Sequence, residues 1–371
     1  MSEGTYRRAF EIEGRLIDDS STCYVIAEIG HNHQGDVEQA KQMFAKAKEC
    51  GADAVKLQKR DNRSLFTKEY YTRPYDNPNS FGPTYGEHRE ALEFGRSEYL
   101  ELQAYANEIG ITFFATAFDE PSCEFLAELD MPAYKVASAD IKNTPLLRCI
   151  AGIGQPVIMS TGAALLDDVR RAYNTIAEIN PNVAVLQCTA SYPPGWDELD
   201  LRVIATYREL FPASVIGFSS HDSGIAMAVA AYVLGGRIVE KHFTLNRALR
   251  GTDHAFSLEP QGLSKMIRDL RRAHVGLGDG TKRMHTCEVE PSVKMGKKLV
   301  TRRALPGGHV LTADDIVARS PGDGLPPYEI GNVVGRALRQ PVVEETTLTF
   351  ELLEDAVPDI ASTAYSPVDV A

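Results

Sequence analysis

Eight short apolar runs alternate with helix-patterned stretches between Tyr24 and Leu277, and this alternation limits the fold more than any other feature of the chain. The runs are Tyr24 to Ile29, Ala54 to Leu57, Thr112 to Ala115, Ala133 to Val136, Pro156 to Met159, Val183 to Leu186, Val215 to Phe218 and Ile238 to Glu240. Between them lie helix patterns at Val37 to Cys50, Glu98 to Ile109, Glu120 to Leu129, Pro145 to Ala151, Leu165 to Ile179, Leu199 to Leu210 and Gly224 to Leu234. Gly262 to Leu277 closes the series. Strands separated by helical crossovers are parallel neighbours. Eight such units over about 250 residues match an α/β fold of the (β/α)8 TIM-barrel type. The alternation also suits an open doubly wound sheet, but no G-x-G-x-x-G follows the first strand, which disfavours a dinucleotide fold.

The two ends of the series carry their own signals. Phe10 to Ile17 alternates around Gly14 and reads as a hairpin ahead of the barrel. Lys59 to Phe94 is polar, rich in aromatic residues and without a clear period. After Gly278-Asp279-Gly280 the pattern changes to short runs broken by Pro306-Gly307-Gly308, Pro321-Gly322-Asp323-Gly324 and Pro326-Pro327, as in a small domain of short strands and turns. The expected organisation is a barrel over residues 1–280, a linker over 281–289, a small domain over 290–355 and a loose tail over 356–371.

Charge and cysteine usage narrow the function. A net charge of −12, from 39 basic and 51 acidic residues, argues against nucleic acid or an anionic membrane as partner. The six cysteines are scattered with no C-x-x-C, as in the reduced core of a cytosolic protein. Met1 to Ser20 has no apolar signal core, and the apolar run at 224–236 is too short to span a bilayer. A cytoplasmic location is expected.

In a barrel, chemistry collects at the C-terminal ends of the strands. Polar residues stand there after every predicted strand: Glu28; Lys56 and Gln58; Thr116; Lys135 and Ser138; Ser160 and Thr161; Thr189 and Tyr192; Ser219 and His221; His242. Lysines inside a barrel are costly unless a carboxylate or an anion pairs with them. Lys56 and Lys135 therefore suit salt bridges to Glu28 or Asp140, or, with Ser138, Ser160 and Ser219, a cradle for a phosphate-like anion. His221 and His242 end two strands one βα unit apart. The pair fits two strand caps or a divalent-metal site. A metal beside a bound anion suits Lewis-acid polarisation of a carbonyl.

Several motifs carry a resemblance to a known family. They are Ala27-Glu28-Ile29-Gly30-x-Asn32-His33-x-Gly35, Gly51-Ala52-Asp53-Ala54-Val55-Lys56-x-Gln58, Tyr85-Gly86-Glu87 and Pro132-Ala133-Tyr134-Lys135-x-Ala137-Ser138. Ser160-Thr161-Gly162, Cys188-Thr189-x-x-Tyr192-Pro193, His221 and Glu240-Lys241-His242-Phe243-Thr244 complete the set. Through them the chain resembles the N-acetylneuraminate (sialic acid) synthase family over nearly its whole length, and residues 290–354 are similar to that family's antifreeze-like (SAF, β-clip-like) domain.

The resemblance implies a transferase that condenses phosphoenolpyruvate with the open-chain aldehyde of an N-acetylated sugar, releasing phosphate and a 2-keto-3-deoxy sugar acid. It implies that Lys135, Ser138, Ser160 and Ser219 hold the phosphate, and that Lys56 and Thr116 hold the carboxylate region. Glu28, Gln58, Asp140, Tyr192 and Asp253 would face the acceptor. His221 and His242 would bind Mn²⁺, with Mg²⁺ or Co²⁺ as alternatives. Glu28, Lys56 and Lys135 are the candidate catalytic groups, and Glu28 is the carboxylate placed to steer water. The resemblance further implies a domain-swapped C2 homodimer whose small domain brings Arg319 to the partner's acceptor.

Departures from the family pattern lie on the acceptor side. Asp140 replaces Glu, Ala190 and Ser220 stand where some members have Asn and Asp, and Arg319-Ser320-Pro321-Gly322 displaces the family's Arg by one. A synthase using a non-N-acetylated aldose, or a metal-dependent barrel aldolase or isomerase, is the alternative. A sugar-binding protein without catalysis is a third reading, against which the complete polar rim argues.

Overall fold

The computed structural model describes residues 8–354, so the expected tail at 356–371 lies outside the described residues. The chain divides into two compact units, Met1–Asp279 and Gly280–Ala371. Unit one opens with an antiparallel hairpin, β1 (Ala9–Ile12) and β2 (Arg15–Asp18). Phe10, Ile12 and Ile17 of the hairpin join the same buried core as the strands that follow.

Eight parallel strands close into a barrel in the order β10-β3-β4-β5-β6-β7-β8-β9. They are β3 (Tyr24–Gly30), β4 (Ala54–Lys59), β5 (Thr112–Ala117), β6 (Tyr134–Val136), β7 (Val157–Ser160), β8 (Val183–Cys188), β9 (Val215–Ser220) and β10 (Ile238–His242). Most run one or two residues beyond the predicted apolar runs, because the inward residues at their C-terminal ends are polar. Helices start where the sequence offers a cap. Asp36 accepts from the Glu38 and Gln39 N–H groups ahead of the helix Val37–Cys50, and Gly51, at φ 92°, ends that helix in the left-handed region.

Two expectations differ in detail. The helix predicted from Leu199 begins at Val203, because Asp200 takes φ 45° and interrupts the turn that precedes it. The stretch 59–94 contains three short helices, Asn62–Leu65, Lys68–Thr72 and Tyr85–Glu90. The third is fixed by a capping box, in which Thr84 and Glu87 exchange hydrogen bonds. Phe66, Tyr70 and Tyr75 pack against Tyr85 of this helix. No helix among the described residues is long and apolar enough to cross a membrane.

Unit two pairs β11 (Lys298–Thr301) with β12 (Ile316–Arg319) over a core of Leu299, Leu311, Ile316, Val333, Leu338, Leu348 and Leu353. A short helix, Val289–Met295, precedes it. Asp315 has no exposed side-chain surface, and it accepts from His309, Arg303 and the Thr312 N–H and hydroxyl. Those hydrogen bonds, His309 first, hold its carboxyl well below the usual carboxylate range. A depressed carboxylate stabilises the fold above its unfolded pKa, and the effect is lost as pH falls through the folded value. Asp315→Asn is therefore expected to speed amide hydrogen exchange across 298–354 at pH 7 while leaving the barrel strands protected. Wild type should lose that protection only at pH below the ordinary carboxylate range. Unchanged exchange in the variant would show that the cap is dispensable.

Candidate active site

Barrel register and the two-residue period of strands decide which side chains meet. Across neighbouring strands Ser219 pairs with Glu240, His242 with Glu28, Glu28 with Lys56, Gln58 with Thr116 and Thr116 with Lys135. All of these side chains line one cavity of about 380 Å³ at the C-terminal ends of the strands. Ser138, Ser160, Tyr192, His221 and Asp253 line it as well. Thr161 faces the other way and is spent on structure, donating to the Leu186 carbonyl at 2.9 Å.

Four buried charges form the floor: Glu28, Lys56, Lys135 and Glu240. Lys56 Nζ lies 2.7 Å from Glu28 Oε2 and donates to Thr116 Oγ1 at 2.7 Å. It is 3.9 Å from Glu240 Oε1. Gln58 Nε2 donates to the other Glu28 oxygen at 2.7 Å. Lys135 Nζ donates to Ser160 Oγ at 2.6 Å and to the Val136 carbonyl at 2.8 Å. Ser219 Oγ donates to Glu240 Oε1 at 3.3 Å. Ser138 Oγ accepts from the Gly162 N–H at 2.9 Å.

Burial dominates the titration of these groups. It pushes Glu28 up to about 7, helped by the negative charge of Glu240 and opposed by Lys56. Glu240 moves the other way, held down by Lys135 and Lys56 against its own burial. Where the two carboxyls compete for a proton, Glu28 takes it. Burial also lowers Lys135.

His221 and His242 face each other with ring centroids 5.4 Å apart. His221 Nδ1 contacts the Thr189 carbonyl at 3.1 Å, so the ring donates from Nδ1 and leaves a lone pair on Nε2. His242 Nδ1 is buried without a hydrogen-bond partner and lies 3.9 Å from Asp253 Oδ2. Burial depresses both imidazoles, His221 to about 4, so both are neutral at pH 7. Among the described residues no third His, Cys, Asp or Glu completes a metal cluster with them. Tyr192 packs against His221 with the rings tilted by 42° and the centroids 4.1 Å apart.

One predicted acceptor residue does not line the cavity. Asp140 is buried just behind Ser138 and Ala139 and is not part of the lining. One of its oxygens has no partner, and burial raises it to about 6. Arg319 ends β12 in unit two, with its side chain 60% exposed. Sequence reasoning missed Glu240, Arg60 and Arg89, all three of which line the cavity. Glu240 was within reach, since it shares a strand face with His242 two residues on. Arg60 repeats the Lys56 and Gln58 spacing. Nothing in the aperiodic 59–94 stretch marks Arg89.

Behind the cavity wall, Lys241 and Asp222 form a second buried pair, 2.7 Å apart and each 2% exposed. Lys241 also donates to Ser220 Oγ at 3.1 Å and to the Asp222 carbonyl. The pair joins the residue after His221 to the residue before His242, and so fixes one histidine loop to the other strand.

A parallel barrel with paired buried lysines, serines and neutral histidines at its mouth belongs to the class of TIM-barrel enzymes that handle a small anion. Residues 43–282 match the NeuB family model and 298–354 the SAF domain model. The chain is 42% identical over 343 residues to human N-acetylneuraminate-9-phosphate synthase, covering 92% of this chain and 96% of that one. It is 35% identical over 341 residues to N,N'-diacetyllegionaminic acid synthase of Legionella pneumophila, covering 90% and 96%. The crystal structure of N-acetylneuraminic acid (sialic acid) synthetase from Leptospira borgpetersenii in complex with citrate superposes with a TM-score of 0.68. It is 30% identical, and the match covers 78% of this chain and 96% of that one. The chain belongs to the NeuB family.

Lys241→Met would leave Asp222 buried and unpaired. It is expected to destabilise the barrel by about 3–5 kcal/mol in urea unfolding. Adding Asp222→Leu should cost much less than the sum of the single losses. Additive losses would mean that the pair is not coupled.

Proposed function

We propose that the chain condenses phosphoenolpyruvate with the open-chain aldehyde of an N-acetylhexosamine or a related sugar, giving a 2-keto-3-deoxy sugar acid and phosphate. The observation that carries this is the floor of the cavity, where Lys56 and Lys135 stand beside Thr116 and Ser160 and Glu28 is paired with Lys56. The names of the relatives, synthases of nine-carbon sugar acids, agree with it.

In this reading Lys135, Ser138, Ser160 and Ser219 hold the donor phosphate, and Lys56 with Thr116 holds its carboxylate region. The methylene carbon of phosphoenolpyruvate bonds to the aldehyde carbon, and positive charge develops at the enol carbon. Water adds there, and the bond from that carbon to the phosphate oxygen breaks. Glu28, with a pKa raised towards neutrality, takes the proton from that water. Gln58 orients Glu28. Tyr192 and Asp253 stand at the mouth to meet the acceptor, with Asp140 behind the wall as a polar neighbour.

His221 and His242 fit a divalent cation. Both are neutral, one is held in the tautomer that frees Nε2, and the other has an unpartnered nitrogen. Two imidazoles with oxygen donors from water and substrate suit Mn²⁺, or Co²⁺ or Mg²⁺. A bound ion would supply Lewis-acid polarisation of the aldehyde. The same reading gives a homodimer in which the small domain of one chain carries Arg319 to the other chain's acceptor.

Phosphate release should depend strictly on phosphoenolpyruvate and an aldose, with a product mass equal to the sum of both substrates plus water minus phosphate. Release without phosphoenolpyruvate would mean aldolase or isomerase chemistry instead. Since a base must be ionised, wild-type kcat should rise as pH passes through about 7. Glu28→Gln should erase that limb and lower kcat by roughly 10²–10⁴-fold. A variant that keeps the limb would assign the base elsewhere.

Mixing His221→Ala chains with Arg319→Ala chains tests the dimer. A swapped dimer regains activity, because one barrel with its histidine meets one small domain with its arginine. Absence of rescue in a confirmed mixed dimer would rule the exchange out.

A further inference from the structure

The six cysteines are scattered along the chain, yet the fold brings two of them together. Cys123 lies on the helix Glu120–Ala127 and Cys149 on the helix Thr144–Gly152, and these helices pack side by side. Their sulfurs are 2.8 Å apart, and both thiols are free. Ordinary non-bonded heavy atoms rest at about 3.5–4.0 Å. A disulfide needs about 2.05 Å. The sulfurs therefore have less than about 1 Å left to close, a distance that side-chain torsions supply.

The segment between the two cysteines gives the pair its significance. It contains β6, which at three residues is the shortest strand of the barrel. β6 meets β5 through only two residue pairs and β7 through three. This weakly laddered strand carries Lys135 into the cavity. Its neighbour Tyr134 points to the opposite face, as the two-residue period requires. The Tyr134 hydroxyl is buried without a hydrogen-bond partner, and it lies close enough to both cysteines to feel their charge when they ionise. The layer behind Lys135 thus holds an orphaned hydroxyl and two thiols.

The two thiols differ in access. Cys149 is half-buried, whereas Cys123 has no exposed surface. Burial, and then the Cys149 sulfur beside it, push the Cys123 thiol well above the usual range. A thiol held protonated and sealed from solvent does not start an exchange. Cys149 is the sulfur that meets a reagent first, and Cys123 is placed to resolve the product.

We infer that Cys123 and Cys149 form a reversible disulfide that clips together the two helices flanking the strand of Lys135. The oxidant is a small disulfide of the glutathione type. The Cys149 thiolate attacks one of its sulfurs, giving a mixed disulfide and one glutathione thiol. Cys123 then attacks the Cys149 sulfur, and its proton passes to the second departing glutathione thiolate. One S–S bond forms in the protein and one breaks in the oxidant, while two electrons and two protons pass from the cysteines to glutathione. The closed loop spans β6, so the bond restrains both the unfolded chain and local opening of this strand. Neither sulfur lines the cavity, and the clip acts on Lys135 only through the strand that carries it.

The test uses the full chain with Cys287→Ala, because Cys287 is exposed and would otherwise cross-link one chain to another. After incubation with oxidised glutathione, peptide mapping without reductant should show Cys123 joined to Cys149. The oxidised chain should melt about 5 °C above the same chain in dithiothreitol. Amides of residues 124–148 should exchange hydrogen about tenfold more slowly in it. Both gains should disappear on reduction and be absent from Cys149→Ser and Cys123→Ala. Cys149 is half-buried, so its variant keeps the comparison available if Cys123→Ala does not fold. Glutathione retained on Cys149, with no bond to Cys123, would overturn the disulfide. A bond formed without slower exchange over 124–148 would overturn the clip. The same gains in Cys149→Ser would assign them to other cysteines and refute the pair.

Discussion

The contact on which the site depends is the ion pair between Glu28 and Lys56, 2.7 Å apart and nearly sealed from solvent. A lone ammonium at that depth would lose its proton or draw in water. The neighbouring carboxylate offsets the loss of water around it, and Thr116 and Gln58 complete the hydrogen bonds that the pair still needs. Across the barrel Lys135 is held by Ser160, and Glu240 accepts from Ser219 and lies 3.9 Å from Lys56. Such pairs add little net stability. Their value lies in orientation, because charges already ordered and dry need no reorganisation when a substrate arrives.

Backbone register supplies the order. Glu28, His242 and Lys56 are level on three adjacent strands although they come from both ends of the barrel sequence. Behind the wall, the Lys241–Asp222 pair ties the two histidine-bearing segments to each other. The cavity is thus held from inside by one set of buried charges and from outside by another. Loops bring Ser138, Tyr192, His221 and Asp253 to it.

Strand-end chemistry was legible because inward residues recur every second position, and the parity of Lys56 with Gln58 can be read from the letters alone. The same rule reaches Glu240 from His242, yet a carboxylate inside an apolar run looks like the end of a strand, and the predicted run stopped there. Asp140 shows the opposite error. It follows a strand, but the 3-10 turn Ser138–Asp140 rotates it behind the wall. Arg89 was beyond reach, since its place depends on a short capped helix set by aromatic packing rather than by periodicity. The helix start at Val203 was misjudged because Asp200 adopts a backbone conformation that its residue type does not announce.

The seam of the barrel has a further consequence. Strand β10 hydrogen-bonds to β3, so the last barrel strand to leave the ribosome closes on the first. Glu28 waits in the nascent chain for His242 and Glu240, and until they emerge Lys56 has only part of its final surroundings. Contacts of such long sequence separation form late and slowly. During synthesis the chain therefore carries buried-type charges in an open, hydrated sheet, and it becomes an enzyme only when the ring closes.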